Sequence, residues 1–263
     1  QPAFTASIRT HYGTEPAPLP FSADPDAAAA SIDAWTKEQT HGMIPSLFSP
    51  ADLRDAVFAL ANAVAFEGRW KVPFEVDETK DGPFATPQGP VDVPLMHRNE
   101  KTPWFDGEGF QAVKLAYEGD STSLLLLLPD EGTSLEALEA GLTPEVLTAV
   151  ANVRGQRPVD LVLPKLKLEQ EHALRDLLPA LELGAGDYSG IAPQITIGAA
   201  LQKTFLEVDE AGTKAAAVTG VVGTRSLPPP PVEVHFDRPF FFALWHDGVG
   251  IPLFTGRVED PRG

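Results

Sequence analysis

The side chains best able to do chemistry are scattered through this chain. His11, His41, His97, His172, His235 and His246 fall without metal-ligand spacing, and no H-E-x-x-H occurs, so ordinary surface or satisfied histidines are expected. Gly186-Asp187-Tyr188-Ser189-Gly190 comes near a nucleophile elbow, but its serine is off centre, and the strained turn of that motif needs G-x-S-x-G. No glycine-rich phosphate loop is present. The 37 carboxylates are spread over helix faces and turns, where solvated charge is the default. These residues do not predict an enzyme.

One stretch stands apart. Asp209 to Pro231 reads DEAGTKAAAVTGVVGTRSLPPPP and lies between two apolar, strand-like runs. Loops longer than about 12 to 15 residues are uncommon in compact domains and are usually functional or disordered. Its first half is Thr, Ala, Val and Gly rather than the Glu, Ser, Lys and Pro of a disordered linker. Thr213 to Val222 contains no proline and no bulky side chain, so every backbone N–H there can join a sheet between neighbouring strands. The plain alternative is an Ala-rich surface loop.

The rest of the chain must supply what positions that stretch. At 263 residues, 43% apolar and 22% charged, it has the make-up of an ordinary globular protein with a sizeable core, and no linker forces a division into two domains. It has no starting Met and no signal-peptide pattern, and is read as a processed chain or a fragment. Zero cysteine excludes disulfides, thiol catalysis and Cys-type zinc sites. A formal charge of −17 disfavours nucleic acid and anionic membrane surfaces as partners. None of Asn62, Asn99 and Asn152 starts a glycosylation sequon.

Residues 1 to 23, with Pro2, Pro16, Pro18 and Pro20, predict irregular chain. Asp24-Pro25-Asp26 predicts a capped helix start, with Ala27 to Thr40 carrying Ile32 and Trp35 on one face and Gly42 closing it. Ala56 to Phe66 is almost continuously apolar, which predicts a strand covered on both faces in the middle of a sheet, with Asn62 as its one strongly polar residue. Glu67 to Met96 predicts short strands and turns. Phe110 to Tyr117 and Ser121 to Leu128 predict a hairpin around Glu118-Gly119-Asp120. Ser134 and Pro144 mark two helix starts, and Val159, Leu161 and Leu163 mark one face of a half-buried strand over Pro158 to Leu168. Leu174, Leu177, Leu178 and Leu181 predict a helix over Glu171 to Leu183. Strands are predicted over Ile195 to Val208 and Val232 to Phe242, the latter paired with Ile251 to Val258 across His246-Asp247-Gly248. The order is irregular, so the class is α+β.

Taken in order, several segments resemble the serpin family of serine protease inhibitors over essentially the whole chain. They are IDAWTKEQTHGMI (Ile32 to Ile44), NAVAFEGRWKVPF (Asn62 to Phe74), VDVPLM (Val91 to Met96), LLLLLPDE (Leu124 to Glu131), VDLVLPKLKLE (Val159 to Glu169), LEVDEAGTKAAAVT (Leu206 to Thr219) and FDRPFFFALWHDGVGIPLFTGRVEDP (Phe236 to Pro261). The resemblance implies one serpin domain over 1–263 that lacks the family's N-terminal helical segment. It implies a large central mixed sheet, smaller flanking sheets, surface helices and an exposed reactive-centre loop at about 209–231. It further implies a suicide substrate. A protease cuts the loop, is held as an acyl-enzyme through its own serine, and is carried off as the cleaved loop inserts into the central sheet. No cofactor and no catalytic residue of its own are implied.

Residue by residue, the resemblance makes Glu210, Gly212, Thr213, Ala215, Ala216, Ala217 and Thr219 the hinge. Strand periodicity puts Thr213, Ala215, Ala217 and Thr219 on one face, all of them small, which favours an inhibitor over a non-inhibitory binding or chaperone serpin. Lys214 stands where the family more often has Glu. The reactive bond is Arg225–Ser226, fitting a trypsin-like protease, with Ser226–Leu227 and an elastase- or subtilisin-like target as the alternative. Asn62 and Trp70 match residues of sheet opening. Gln202 occupies the position of a histidine that usually partners the asparagine. A secreted or extracellular monomer is expected, with a cytoplasmic one as the alternative.

Overall fold

A computed structural model of the protein describes residues 2–177, 188–191, 195, 197–213 and 230–263. The chain opens with helix α1 (Pro2–Tyr12), where irregular chain was expected. Pro2 sits in the first turn, where a missing N–H costs nothing, and the other prolines follow the helix. None of its residues is buried. Helix α2 (Pro25–Gln39) is capped as the sequence predicts, the Asp24 carboxylate accepting from the Ala27 N–H at 2.9 Å. Ala28, Ile32 and Thr36 form its buried stripe, whereas Trp35 is 47% exposed rather than sharing the Ile32 face inside the core. Short helix α3 (Pro50–Leu53) and strand β1 (Ala59–Ala65) follow.

Next come β2 (Gly68–Arg69), β3 (Lys80–Thr86), the 19-residue β4 (Gly89–Gly107), β5 (Phe110–Ala116) and β6 (Thr122–Pro129). Helices α4 (Leu135–Gly141) and α5 (Pro144–Ala151) start at the Ser134 and Thr143 side-chain caps. Strand β7 (Gln156–Pro164) buries Val159, Leu161 and Leu163 as the alternation requires. Strand β8 (Leu166–Ala173) runs through residues assigned above to a helix, and only α6 (Leu174–Leu177) is helical before the described chain stops. Leu174 and Leu177 are thus helical as expected, Glu171 to Ala173 belong to strand β8 instead, and Leu178 and Leu181 lie outside the described residues. Strand β9 (Ala199–Val208) and the two-residue β10 (Gly212–Thr213) flank a tight turn. The last strands are β11 (Val232–His235), β12 (Phe240–His246) and β13 (Ile251–Val258). The single strand expected over Val232 to Phe242 is thus two, broken before Pro239, which lacks an N–H and restricts the residue before it.

The chain divides into two compact units. In the first, residues 1–65 and 169–205, a three-stranded sheet runs β1-β9-β8. Ala28, Ala29 and Ile32 of α2 pack with Leu47, Phe48, Leu53, Ala56 and Ala199 beside it. Strand β1 pairs only with β9 among the described residues, and Leu60, Ala61 and Asn62 are exposed. The expectation of a strand covered on both faces is therefore corrected: among the described residues β1 is an edge strand with an open stretch.

In the second unit, residues 66–168 and 206–263, eight strands form a mixed sheet ordered β11-β7-β4-β5-β6-β12-β13, with β3 on β4. The Leu124–Leu128 run lies at its heart. Leu124, Leu126 and Leu128 face the main core with Phe236, Phe240 and Phe242. Leu125 and Leu127 face a second core, closed by Leu135, Leu138 and Val150 of α4 and α5. A two-stranded ribbon of β2 and β10 belongs to the same unit.

Candidate functional site

The predicted hinge is a turn pinned on all sides. The Asp209 N–H donates to the Gly212 carbonyl at 2.8 Å, and the Asp209 carboxylate accepts from the N–H groups of Ala211 and Gly212 at 2.9 and 3.1 Å. An aspartate closing its own turn in this way satisfies donors that a loop would leave to water. The chain therefore reverses after β9, and Gly212 and Thr213 pair antiparallel with Arg69 and Gly68 of β2. Gly212 holds φ +129, and a Cβ there would lie 2.4 Å from the Gly68 carbonyl oxygen and 2.6 Å from the Trp70 nitrogen. Only glycine fits both the angle and the space.

Trp70 is the floor of this turn. It is buried, its indole stacks on Tyr117 with ring centroids 4.4 Å apart, and its Nε1 donates to the Asp209 carbonyl at 2.9 Å. Its backbone N–H donates to the Ala211 carbonyl at 2.9 Å, and the Phe74 N–H donates to the Glu210 carbonyl at 2.8 Å. Three consecutive carbonyls of the turn are thus held by residues of one short segment.

Glu210 points inward and is buried. The Thr79 hydroxyl donates to its Oε1 at 2.7 Å, and Lys165 Nζ stands 2.8 Å from Oε2. Burial pushes the carboxyl pKa up, but the hydrogen bonds from Lys165 and Thr79 outweigh it and leave it below the usual glutamate range. Beneath the turn, the buried Arg98 guanidinium lies 4.7 Å from the Phe74 ring centroid and donates to the Val72 carbonyl. Its burial lowers its pKa to about 10.

In the first unit, β1 and β9 pair in parallel without interruption from Ala59↔Ala199 to Ala65↔Phe205. Asn62 and Gln202 face each other in that register, but no hydrogen bond joins their side chains among the described residues. Asn62 is exposed and Gln202 half-buried.

The family model described as Serpin (serine protease inhibitor) matches residues 1–261. The chain belongs to the serpin family. It is 35% identical over 98% of its length to serine proteinase inhibitor A3K of Cavia porcellus and 31% identical over 97% to an uncharacterized serpin-like protein of Thermococcus kodakarensis. It spans 64% and 62% of those two proteins, less than two thirds of their length. Leukocyte elastase inhibitor of Bos taurus is 33% identical over 99% of this chain, which covers 74% of that protein. The crystal structure of Manduca sexta serpin-12 superposes with a TM-score of 0.85 at 23% identity, covering 99% of this chain and 72% of that one. The α+β serpin fold is therefore shown.

Of the residues singled out in the sequence of this serpin, Glu210, Gly212, Thr213 and Trp70 come together at the turn, and Asn62 and Gln202 at the β1–β9 pair. Ala215, Ala216, Ala217 and Thr219, with Arg225, Ser226 and Leu227, lie outside the described residues. Sequence reasoning missed Asp209 as the turn's own clasp, although an aspartate three residues before a glycine was a readable signal. It also missed Thr79 and Lys165, which reach Glu210 from 131 and 45 positions away, a distance at which no spacing rule operates.

Proposed function

We propose that this serpin inhibits a serine protease as a suicide substrate, with residues 209–231 as the bait and hinge. The observation that carries the reading is the direct parallel pairing of β1 with β9 while the chain reverses at Asp209–Gly212. The small-residue segment Thr213 to Val222 has an outlet in this arrangement. Once cut, it can leave its turn and enter between β1 and β9, where a strand gains a hydrogen-bond ladder on both sides. The protease serine attacks the Arg225 carbonyl, Ser226 leaves with the new amino terminus, and the acyl-enzyme travels with the inserting strand. The uncut fold then persists because the path to the better-paired sheet is slow, which is kinetic stability. Arg225 suits the acidic specificity pocket of a trypsin-like protease; cleavage at Ser226–Leu227 would direct the loop to an elastase- or subtilisin-like enzyme. An extracellular monomer is the setting this reading proposes.

Incubating the protein with trypsin, elastase and subtilisin and resolving the products on denaturing gels tests it. A covalent complex that survives denaturant, with mass spectrometry placing the released peptide's first residue at Ser226, is expected. Clean loop cleavage with no complex and no gain in thermal stability would replace this reading with that of a non-inhibitory binding or chaperone serpin.

A further inference from the structure

The second unit holds a cavity of about 650 Å³ between a hairpin tip and a helix corner. On one side, β4 reverses into β5 through Gly107, Glu108 and Gly109, the last at φ +79. On the other, α4 passes into α5 at Leu142 and Thr143. The Phe110 ring folds back over Gly107, where a Cβ would come within 2.4 Å of it, and stacks on Phe105 with centroids 6.0 Å apart. Leu138, Leu142 and Val146 form the facing apolar wall. Phe105, Leu142 and Val146 are only partly buried, so the apolar surface of the cavity is open to a ligand.

Every charged side chain that lines this cavity is a carboxylate. Asp106 and Glu108 stand on the hairpin and Glu145 in the first turn of α5. All three are exposed, and none forms an ion pair among the described residues. Hydrogen bonds from the Thr143 side chain and from its own backbone hold the Glu145 carboxyl below the usual glutamate range. The three are not metal ligands, since no group of three such side chains among the described residues could hold an ion.

We propose that this cavity binds an organic cation with an apolar body, an amine of drug size whose hydrocarbon enters between the phenylalanines and Leu142 while its ammonium stays at the carboxylate rim. Cavities of about 300–1,000 Å³ with apolar walls and a few polar groups suit such ligands. Burial of hydrocarbon supplies the affinity. The carboxylates supply the selection: each exposed pair with an ammonium adds little, but an anion would meet three like charges with no counter-charge in the wall. Phe105 adds an aromatic ring, which attracts a cation placed over its face. None of these residues belongs to the bait or the hinge, so the inference stands apart from the inhibitory reading.

Three compounds that share one body test this: diphenylbutylamine, diphenylbutanol and diphenylbutyrate, each titrated into the isotope-labelled 263-residue protein and followed by amide NMR shifts. The amine should saturate one site with a dissociation constant on the order of 0.1 mM, with the shifts centred on Gly107, Gly109 and Gly141. The alcohol should bind about 10-fold more weakly and the carboxylate should not saturate. High salt should narrow the gap between amine and alcohol. Neutralising the rim with Asp106→Asn, Glu108→Gln and Glu145→Gln together should bring the amine to within about 2-fold of the alcohol and leave the alcohol unchanged. Ala149→Trp, at an exposed position lining the cavity, should abolish binding of both, with circular dichroism confirming that each variant folds. Absence of saturable amine binding, equal binding of amine and carboxylate, a preference for the amine that survives the triple substitution, or amine binding that survives Ala149→Trp overturns the proposal.

Discussion

The Trp70 indole donates its Nε1–H to the Asp209 carbonyl, 139 residues away in sequence. That bond fixes the first residue of the Asp209–Gly212 turn to a side chain that is itself locked against Tyr117. Trp70→Phe keeps an aromatic ring but removes the donor and part of the volume. The expected loss is about 1–3 kcal/mol of stability from the hydrogen bond and the space left behind. Urea unfolding of the two proteins, followed by far-ultraviolet circular dichroism, measures it; a change under about 0.5 kcal/mol would show that the turn does not depend on this bond.

Gly212→Ala should cost more. Its Cβ meets three backbone atoms within 2.7 Å, at a φ of +129, and the ribbon cannot yield by rotating a side chain. Left-handed strain alone is worth about 1–2 kcal/mol, so about 2 kcal/mol or more is expected in all. Hydrogen exchange of the Trp70 amide, which donates to the Ala211 carbonyl, should speed up in the variant because β10 is pushed off β2.

How much of this was legible in the sequence depends on where each contact's partner lies. The Leu124–Leu128 run was readable as strand, and its burial follows because β5 and β12 flank it while α4 and α5 cover its outer face. Ala59–Ala65 carries the same kind of apolar signal, yet Leu60 to Asn62 are exposed, since composition records what a strand could bury and not what arrives to cover it. Local caps at Asp24 and Ser134 were readable because donor and acceptor lie three residues apart. The turn at Asp209–Gly212 was singled out through its family likeness. Its seat on Trp70, Thr79 and Lys165 was not, because those contacts are made by folding alone.

Asn62 offers a contrast. It sits in register with Gln202 but is exposed and exchanges no side-chain hydrogen bond with it. Asn62→Ala should therefore alter the stability of the uncut protein by no more than about 0.5 kcal/mol, as for surface changes away from special features. A loss of about 1–3 kcal/mol in urea unfolding would instead mean that the two amides bond in solution.

Glu210 should make stability depend on pH in a definite direction. Its carboxylate is held by Lys165 and Thr79, and its pKa in the fold is below the ordinary glutamate value, which is about 4.3 when unfolded. The folded state therefore binds this proton less readily than the unfolded chain. The stabilisation is fully present above about pH 4.3 and disappears as the pH falls through the depressed folded value. Glu210→Gln keeps the shape and can still accept from Thr79, but it loses the charge-assisted bond to Lys165, worth about 1.5–3 kcal/mol. Wild type minus variant, measured by urea unfolding between about pH 7 and pH 3, should be constant near neutrality and shrink only on the acid side of the unfolded glutamate value. A difference that stays level down to pH ~3 would locate the effect of the substitution in packing rather than in the charge.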